Sequence, residues 1–484
     1  MSMKTEINQL QPTAFFTHFN AISQIPRGSG NEEAVSHYVA DFARNLGYKV
    51  VQDKLFNLII YKPAAPGYEE KPAVILQGHL DMVCEKNAGT VHDFATDALD
   101  LYIDGDYLRA RGTTLGADNG TAVAICMAIL EDKTLPHPAL EMILTVEEET
   151  GMDGALALDA GLFAATRMIN LDSSNENIIT IGCAAGVIAD FNVPAQWENA
   201  ATDTAMRITV HGLVGGHSGG DIHKGRGNAL VIMGCVLAAL EKECGIQLTQ
   251  LSGGMKVNAI PREAVAELTF PAENAPKVAA CLAECNRAFR QMFSATEPGL
   301  TIVGENIPLP QRVLSADCTD RVIAALLLLP NGVQAMSQDM PGVVAASCNV
   351  GVAETTDDAV RIEAFPRGAT ADYLTGMEQQ IRTLSERTGA NLSFIQRSPA
   401  WAYNPASPLL KTTIEVFKSA LKKDPIVTAF HAGLECGILA EKIPNLDIVS
   451  LGPDTHDLHT PDERLSISSL QREWAFLLEL LAAL

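Results

Sequence analysis

The sequence predicts an α/β protein with a mixed, mainly parallel sheet flanked by helices and with an inserted α+β domain. Over the first 186 residues, short apolar runs alternate with helical patterns, and the same texture returns after residue 400. Between these two parts, alternating apolar and polar residues indicate strands with one solvent-facing side. We therefore expect a main domain of residues 1–186 and 401–484, and an inserted domain of residues 187–400.

Each predicted element follows from a local pattern. In the main domain, apolar runs predict strands at 73–77, 140–145, 167–171 and 445–451, an apolar helix at 121–130 and a terminal helix from about Ser466. In the inserted domain, we expect strands at 206–211, 264–270, 343–350 and 359–365, and helices after Asn228 and at 276–293, 320–329 and 371–387. Because a similar order of elements recurs, two similar halves are predicted for this domain.

Composition limits the partners of the protein. Its 484 residues include 35 Lys and Arg against 58 Asp and Glu, a net charge of −23, which argues against nucleic acid or an anionic membrane as main partner. The apolar runs at 322–329 and 476–484 fall short of the about 20 residues that span a bilayer. The N-terminus lacks a basic stretch followed by an apolar one, and ten scattered cysteines suit buried positions in a reducing compartment. We predict a cytoplasmic protein.

Imidazole and carboxylate side chains follow the predicted strands of the main domain. Since parallel strands end at one edge of a sheet, these side chains are expected to converge there. One more carboxylate directly precedes the apolar helix. The residues are His79, Asp81, Glu147, Glu148, Glu149, Asp172 and His459 after strands, and Asp118 before the helix.

This donor set favours a pair of divalent metal ions. Mixed imidazole and carboxylate ligands suit zinc, manganese or cobalt. Two ions would be held by His79, Asp118, Glu149, Asp172 and His459 if Asp118 bridges both. Glu148 would then remain as a general base beside a water whose pKa a metal lowers from 15.7 to about 7.

Each piece also has a simpler interpretation. A His-x-Asp pair is common, an acidic triplet is typical of a solvated helix start, and Asp172 before two serines suits a turn cap. Their conjunction after apolar strands favours the metal site. A protein that only buffers metal or serves as a scaffold is the non-enzymatic alternative.

A serine hydrolase is the alternative from another class. Residues 216–220 (GHSGG) fit the GxSxG pattern around Ser218, with Asp454 and His456 or His459 downstream. A nucleophile elbow needs a helix directly after the serine, however, and none is expected before Asn228.

An ordered set of motifs gives a resemblance to a known family. Seven segments carry it along the chain: 77–83 (QGHLDMV), 111–120 (RGTTLGADNG), 148–154 (EETGMDG), 215–220 (GGHSGG), 258–262 (NAIPR), 431–437 (HAGLECG) and 459–463 (HTPDE). Together they resemble the cocatalytic zinc metallopeptidases, the family of aminoacylases, tripeptidases and Xaa-His dipeptidases. The resemblance is greatest to the dipeptidase branch and implies a catalytic main domain with an inserted lid.

The resemblance assigns roles at the metal site. His79 and Asp172 would hold one ion, Glu149 and His459 the other, and Asp118 would bridge them and precede a cis peptide bond. Asp81 would orient His79, and Glu148 would be the general base. Two alternatives stay open: Glu147 as the base, because the triplet leaves the register ambiguous, and His456 in place of His459.

The resemblance also assigns the binding of substrate. His217 of the inserted domain would polarise the scissile carbonyl, while Asn258 and Arg367 would engage the substrate backbone and its C-terminal carboxylate. His431 and Gly433 would line the pocket for the N-terminal residue, and Glu435 would meet the amino group.

The implied activity is that of a cytosolic metal-dependent dipeptidase. It would act on dipeptides with free termini, Xaa-His and β-alanyl-histidine types included, through a metal-bridging hydroxide and a glutamate base. Two divalent ions per chain are implied, zinc foremost and cobalt or manganese as alternatives. Tripeptides and N-acyl amino acids are the alternative substrates, and a homodimer remains open.

Overall fold

The computed structural model describes residues 6–484, so residues 1–5 of the predicted main domain lie outside the described residues. The chain divides into two compact units. The first contains Met1–Gly182, Tyr403–Ala429 and Leu434–Leu484, and the second contains Cys183–Ala402 and Phe430–Gly433.

Eleven α-helices occur in the described part of the chain. They are α1 (Thr13–Ile22), α2 (Glu33–Asn45), α3 (Ala117–Glu131), α4 (Asp153–Ala157), α5 (Ala229–Cys244), α6 (Ala275–Met292), α7 (Ala316–Leu328), α8 (Ala371–Thr388), α9 (Pro408–Leu421), α10 (Glu435–Lys442) and α11 (Ile467–Ala483). Four of them, α5 to α8, belong to the second unit.

The strands are numbered along the chain. They are β1 (Lys49–Gln52), β2 (Leu58–Lys62), β3 (Val74–His79), β4 (Leu101–Asp104), β5 (Tyr107–Ala110), β6 (Leu140–Thr145), β7 (Arg167–Asn170), β8 (Ile178–Cys183), β9 (Ala185–Pro194), β10 (Trp197–Asn199), β11 (Thr204–His211), β12 (Gly216–His217), β13 (Gln247–Gly253), β14 (Ala259–Ile260), β15 (Ala264–Phe270), β16 (Thr301–Ile307), β17 (Arg312–Leu314), β18 (Gly332–Met336), β19 (Val344–Cys348), β20 (Val350–Thr355), β21 (Ala359–Ala364), β22 (Arg367–Gly368), β23 (Asn391–Ser398), β24 (Ile426–Phe430), β25 (Asp447–Ser450), β26 (Thr455–His456) and β27 (Arg464–Ser466).

The first unit is built on an eight-stranded sheet in the order β1-β2-β6-β3-β7-β25-β8-β24. Its central strands β6, β3, β7 and β25 are parallel, whereas β1, β2 and β8 pair antiparallel. Every residue of β3 and β6 is buried, which explains why both sequences are almost continuously apolar. The mixed α/β fold is as predicted, and the parallel strands direct their carboxyl ends to one edge.

The apolar helix predicted at 121–130 is the buried part of α3. Every residue from Thr121 to Leu130 is buried, which agrees with a helix that is apolar on all sides. A second sheet of this unit, β26-β27-β5-β4, joins a hairpin near residue 105 to the segment that follows β25. Its strands have two to four residues each, and no local pattern had indicated them.

The second unit is built on an eleven-stranded sheet. The order is β16-β11-β15-β13-β20-β21-β9-β22-β19-β18, with β23 also paired to β9. Helices α5 to α8 pack apolar faces against it, and one cluster of buried side chains runs through this unit. Asn228 begins α5 as predicted, because its side chain accepts hydrogen bonds from the backbone N–H groups of Leu230 and Val231.

The division into units differs from the predicted one in detail. The chain enters the second unit after Gly182 and leaves it after Ala402, where residues 186 and 400 were expected. Phe430–Gly433, predicted to lie in the main domain, belongs to the second unit. One physical reason is that the backbone N–H of Ala184 donates to the carbonyl oxygens of Phe430 and Ala432, a long-range contact that no local pattern indicates.

Burial of the cysteines and helix hydropathy bear on two further expectations. Six of the ten cysteines are buried as expected, whereas Cys235, Cys281 and Cys285 are half-buried and Cys84 is exposed. Among residues 6–484, no helix has the length and the apolar character needed to cross a bilayer.

Helix α11 carries a buried carboxyl group, that of Glu473. The residue is 1% exposed, and its Oε1 has no hydrogen-bond partner among the described residues. Burial, and then the neighbouring carboxylates of Glu176 and Asp454, raise the pKa of Glu473 from 4.5 to about 8. Glu176 is itself paired with Arg472 at 2.9 Å and Lys423 at 3.1 Å.

We predict that Glu473→Gln stabilises the protein in a pH-dependent way. Below pH 4.5 the carboxyl is neutral in both states, but above it unfolding releases a proton, so the wild type loses stability until about pH 8. The gain of the variant in unfolding free energy should grow by about 2–4 kcal/mol between pH 4 and pH 8. Urea denaturation at both pH values measures it.

The exposed Glu479 on the same helix provides the control. Glu479→Gln is a surface substitution and should change the unfolding free energy by no more than about 0.5 kcal/mol. A pH-independent effect of Glu473→Gln would contradict the prediction.

Candidate metal centre

The predicted ligands of the main domain meet at the carboxyl edge of the eight-stranded sheet. His79 is the last residue of β3, Glu148 and Glu149 follow β6, and Asp172 follows β7. Because β3 runs parallel to β6 and to β7, their ends bring these side chains together. Three groups, each with ligand atoms close enough to share one ion, result: His79, Asp118 and Asp172; Asp118, Glu149 and His459; and His79, Glu148 and Glu149.

Asp118 lies between the two histidines. Its Oδ1 is 3.2 Å from Nε2 of His79, and its Oδ2 is 3.3 Å from Nε2 of His459. Each carboxylate oxygen thus faces a different imidazole, the arrangement that a bridging ligand requires. The Asp118–Asn119 peptide bond is cis, as the family resemblance implied.

The remaining ligand atoms complete one group on each side of Asp118. Nε2 of His79 lies 3.6 Å from Oδ1 of Asp172, and Nε2 of His459 lies 3.1 Å from Oε1 of Glu149. Both groups combine one imidazole with two carboxylates, which is a donor set that fits zinc, cobalt or manganese.

Asp81 organises two of the ligand segments at once. Its Oδ1 is 3.2 Å from Nδ1 of His79, so Nε2 of that ring faces the other ligands. It also accepts hydrogen bonds from the backbone N–H groups of Glu148 at 3.1 Å and Glu149 at 3.2 Å, and from the Ser29 hydroxyl at 2.7 Å. Although burial opposes it, the bonds from His79 and these donors lower the pKa of Asp81 to about 2.

Glu148 and Glu147 differ in their surroundings. Oε2 of Glu148 is 4.0 Å from Nε2 of His79, and Glu148 belongs to one of the three ligand groups. Burial raises the pKa of Glu148 to about 8, and Glu435, Glu149 and Asp118 add to this against the effect of His79. Glu147 has a φ of 55°, and its backbone N–H donates to Glu32 at 3.0 Å. These contacts favour Glu148 as the residue near the ligands.

The pKa values of both histidines at the site, His79 and His459, are raised. Hydrogen bonds to Asp118 and Glu149 raise the pKa of His459 to about 10. Burial alone would lower the pKa of His79, but Asp172, Asp118 and Asp81 raise it well above 6.5. His456, the alternative ligand, lies in β26 with its ring packed edge-on to Tyr107 at 5.9 Å and belongs to none of the ligand groups among the described residues.

Glu435 lies beneath this cluster at the start of α10. Its Oε2 accepts hydrogen bonds from Nε2 of Gln77 at 2.6 Å and from the Thr145 hydroxyl at 2.7 Å. Its Oε1 is buried without a hydrogen-bond partner among residues 6–484. Burial raises the pKa of Glu435 to about 7.

His217 has a defined tautomer in the second unit. Its Nδ1 accepts hydrogen bonds from the backbone N–H groups of Gly219 at 3.2 Å and Gly220 at 2.9 Å. Because an N–H group only donates, the neutral ring must carry its proton on Nε2. Burial and the nearby Arg367 lower the pKa of His217, so the ring is a neutral donor near pH 7.

Arg367 is a buried cation in the same unit. It is 4% exposed, its guanidinium lies 4.0 Å from the centre of the Phe365 ring, and within the described part of the chain it forms no ion pair with a carboxylate. Its Nε has no hydrogen-bond partner there either. Since a buried charge without a counter-ion is costly, this site favours an anionic ligand.

The other residues of the second unit that are predicted to bind substrate differ in their burial and contacts. The buried His431 has its Nε2 2.8 Å from the Ser347 hydroxyl, and burial together with Arg367 lowers its pKa to about 3. Asn258 is exposed, and its backbone oxygen accepts from the N–H of Ser218 at 2.8 Å. Gly433 lies in the segment Phe430–Gly433.

Ser218 lacks the setting of a nucleophile. Only a single 3₁₀ turn, Ile222–Lys224, follows it before α5 begins at Ala229. Its hydroxyl is buried without a hydrogen-bond partner in the described chain, whereas an active serine needs a neighbouring base. The serine hydrolase alternative therefore has no structural support.

Sequence reasoning does not identify two buried residues at the candidate metal centre, Glu463 and Arg27. Glu463 belongs to the HTPDE motif, so its motif was a usable signal, but no role followed from it. Arg27 comes from the segment before α2 and had no signal at all. Both contact the backbone near Asp118 and Asp81.

Comparison with known proteins places this chain among peptidases. The model of peptidase family M20/M25/M40 matches residues 75–483. The cytosol non-specific dipeptidase of Escherichia coli is 37% identical over 483 residues, 99% of each protein. The structure of aminoacylhistidine dipeptidase from Vibrio alginolyticus is 36% identical with a TM-score of 0.90, over 99% of this chain and 98% of that one. Aminopeptidase PepT from Bacillus cereus, at 15% identity and a TM-score of 0.56 over 98% of this chain and 99% of that one, shares the fold.

Proposed function

The chain belongs to peptidase family M20/M25/M40, and we propose that it is a metal-dependent dipeptidase for dipeptides with free termini, Xaa-His and β-alanyl-histidine types included. The dipeptidases from Escherichia coli and Vibrio alginolyticus, similar over the whole chain, support this substrate class. The observation that carries the proposal is Asp118, whose two carboxylate oxygens face two different histidines.

Two divalent ions per chain are proposed, with zinc foremost and cobalt or manganese as alternatives. His79 and Asp172 would hold one ion, Glu149 and His459 the other, and Asp118 would bridge them. When bound, such ions lower the pKa of water towards about 7 and polarise the scissile carbonyl.

The protein groups supply proton transfer and stabilisation of charge. Glu148 accepts the proton of the attacking water and passes it to the leaving amine. Asp81 keeps His79 in its orientation. Nε2–H of His217 donates to the carbonyl oxygen as negative charge develops there.

The two ends of the substrate would be bound by different residues. Arg367 binds the C-terminal carboxylate with its guanidinium, and Asn258 engages the substrate backbone. His431 and Gly433 line the pocket for the N-terminal residue, and Oε1 of Glu435 meets the amino group. A dipeptide carries both charges within one residue of the scissile bond, which is why this class fits.

We place the enzyme in the cytoplasm, as the name of the Escherichia coli relative indicates for that protein. Its proposed partner is the small peptide substrate, and neither nucleic acid nor a membrane is proposed. A homodimer stays a prediction.

A substrate panel tests the proposal. Chelator-stripped protein should cleave β-Ala-His and Gly-His only after addition of Zn²⁺, Mn²⁺ or Co²⁺, while Leu-Gly-Gly and N-acetyl-Met should remain intact. Amino acids released are measured by chromatography. Cleavage of only the tripeptide or only the acyl substrate would assign the enzyme to a different substrate class of the same family. Activity independent of metal would overturn the proposal.

We predict that Glu148→Gln lowers kcat for Gly-His by about 10²–10⁴-fold, because general acid–base catalysis contributes a factor of this size. Metal content, measured by elemental analysis, should stay at the wild-type value because Glu148 is not a required ligand. Glu147→Gln is the matched control and should retain wild-type turnover. The reverse result would make Glu147 the base.

We predict that Arg367→Met lowers kcat/KM for Gly-His by about 10²-fold or more, since losing one partner of a buried charge pair costs about 2–5 kcal/mol. Most of the loss should be in KM. The amidated Gly-His-NH₂ lacks the carboxylate and should be affected far less.

Arg361→Met on β21 is the control for this change. Arg361 already pairs with Asp190 at 2.7 Å and also contacts Glu363, so its loss should leave kcat/KM for Gly-His unchanged. Equal losses for the free and the amidated peptide in Arg367→Met would contradict binding of the carboxylate.

A further inference from the structure

Glu463 is a buried carboxylate, 2% exposed, that binds only backbone amides near Asp118. Oε2 accepts hydrogen bonds from the N–H groups of Leu115 at 2.8 Å and Gly116 at 2.9 Å. Oε1 accepts from Ala117 at 2.8 Å and from Asp118 itself at 3.3 Å. One side chain therefore fixes four consecutive peptide groups, the last of which belongs to the bridging residue.

Arg27 binds carbonyl oxygens of the same segment. It is 1% exposed, and its guanidinium donates to the carbonyl oxygen of Gly116. The same guanidinium donates to the carbonyl oxygens of Leu80 at 2.9 Å and Asp81 at 3.0 Å, directly after His79. The loop 115–118 is thus held by a carboxylate at its N–H groups and by a guanidinium at one of its carbonyls.

These contacts connect three separate ligand segments. Glu463 follows His459 by four residues, Arg27 binds the segment that follows His79, and both bind the loop that presents Asp118. Neither side chain belongs to a ligand group among the described residues. The orientation of the Asp118 carboxylate between His79 and His459 therefore depends on a loop whose backbone Glu463 and Arg27 restrain.

We propose that Glu463, supported by Arg27, is a positioning residue that sets Asp118 in its bridging orientation and so determines whether the site holds two ions or one. This inference rests on the proposed two-metal function. A bridging carboxylate must present one oxygen to each ion, and a small rotation of its backbone would favour one ion over the other.

The Glu463→Gln variant makes a sharp test. Each carboxylate oxygen accepts two N–H groups, so the amide would leave two peptide N–H groups facing an NH₂ donor while the side-chain volume stays the same. Stripped protein is titrated with Co²⁺ alone, and its visible absorption reports both the number of ions and their coordination geometry.

Wild type should bind two Co²⁺ ions. In Glu463→Gln, the first ion should bind with near wild-type affinity and the second about 10–100-fold more weakly, with an altered spectrum at saturation. Activity with Gly-His should fall in kcat rather than in KM and should not recover fully at saturating Co²⁺.

Glu141→Gln is the matched control. Glu141 is a buried carboxylate of the same unit that accepts backbone N–H bonds from Ala164 at 3.0 Å and Ala165 at 3.2 Å, and β6 carries it near its other end, away from Glu148. A loss of stability alone should appear in both variants, so a change in Co²⁺ stoichiometry only in Glu463→Gln supports positioning.

If Glu463→Gln does not fold, a second variant tests the same proposal. Arg27→Lys keeps the buried charge but loses the forked donor that reaches Gly116, Leu80 and Asp81 together, and it should also weaken the second ion. If both variants fold and bind two Co²⁺ ions with wild-type affinity, the positioning role is overturned while the proposed function stands. If wild type binds fewer than two, the proposed function fails and the inference with it.

Discussion

Concentrated negative charge at the carboxyl ends of parallel strands is the constraint on which the rest of this structure depends. Asp118, Glu148, Glu149 and Asp172 all lie within ligand distance of His79 or His459. With protein groups alone, protons balance this charge: the pKa of His459 rises to about 10, and burial and neighbouring acids raise the pKa values of Glu148 and Asp172. Two divalent cations would displace those protons and balance the negative charge of the carboxylates in their place.

The scaffold keeps these groups in place through buried charges that bind backbone. Helix α3 illustrates this at both of its ends. Glu463 accepts the amide N–H groups at its start, and the buried Lys62 donates to the carbonyl oxygens of Ile129 and Asp132 at its end. An anion at the N-terminus and a cation at the C-terminus both suit the helix dipole. Helix α3, whose first turn contains Asp118, is therefore held at both ends by side chains far away in sequence.

The sequence allowed the clustering of the imidazole and carboxylate side chains at the candidate metal centre to be predicted, because each of them lies beside a recognisable local pattern. His79 ends the buried strand β3 and Asp172 follows β7, and parallel pairing brings such ends together whatever lies between them. The motif at 459–463 contains Glu463 but did not indicate its role, and nothing indicated Arg27. The physical reason is that both bind backbone groups, which leave no trace in residue type. The same holds for the short sheet β26-β27-β5-β4 and for Phe430–Gly433, which depend on long-range backbone pairing.

Arg367 influences the protonation of two imidazoles in the second unit. Its buried charge helps to lower the pKa values of both His217 and His431, so both imidazoles are neutral near pH 7. A neutral His217 with its proton on Nε2 has one N–H group that can donate a hydrogen bond. Arg367 therefore helps to keep both rings in the neutral form, in which one ring nitrogen donates and the other accepts. For His217, the backbone N–H bonds to Nδ1 also fix which nitrogen carries the proton, so charge and tautomer of this ring are set by different neighbours.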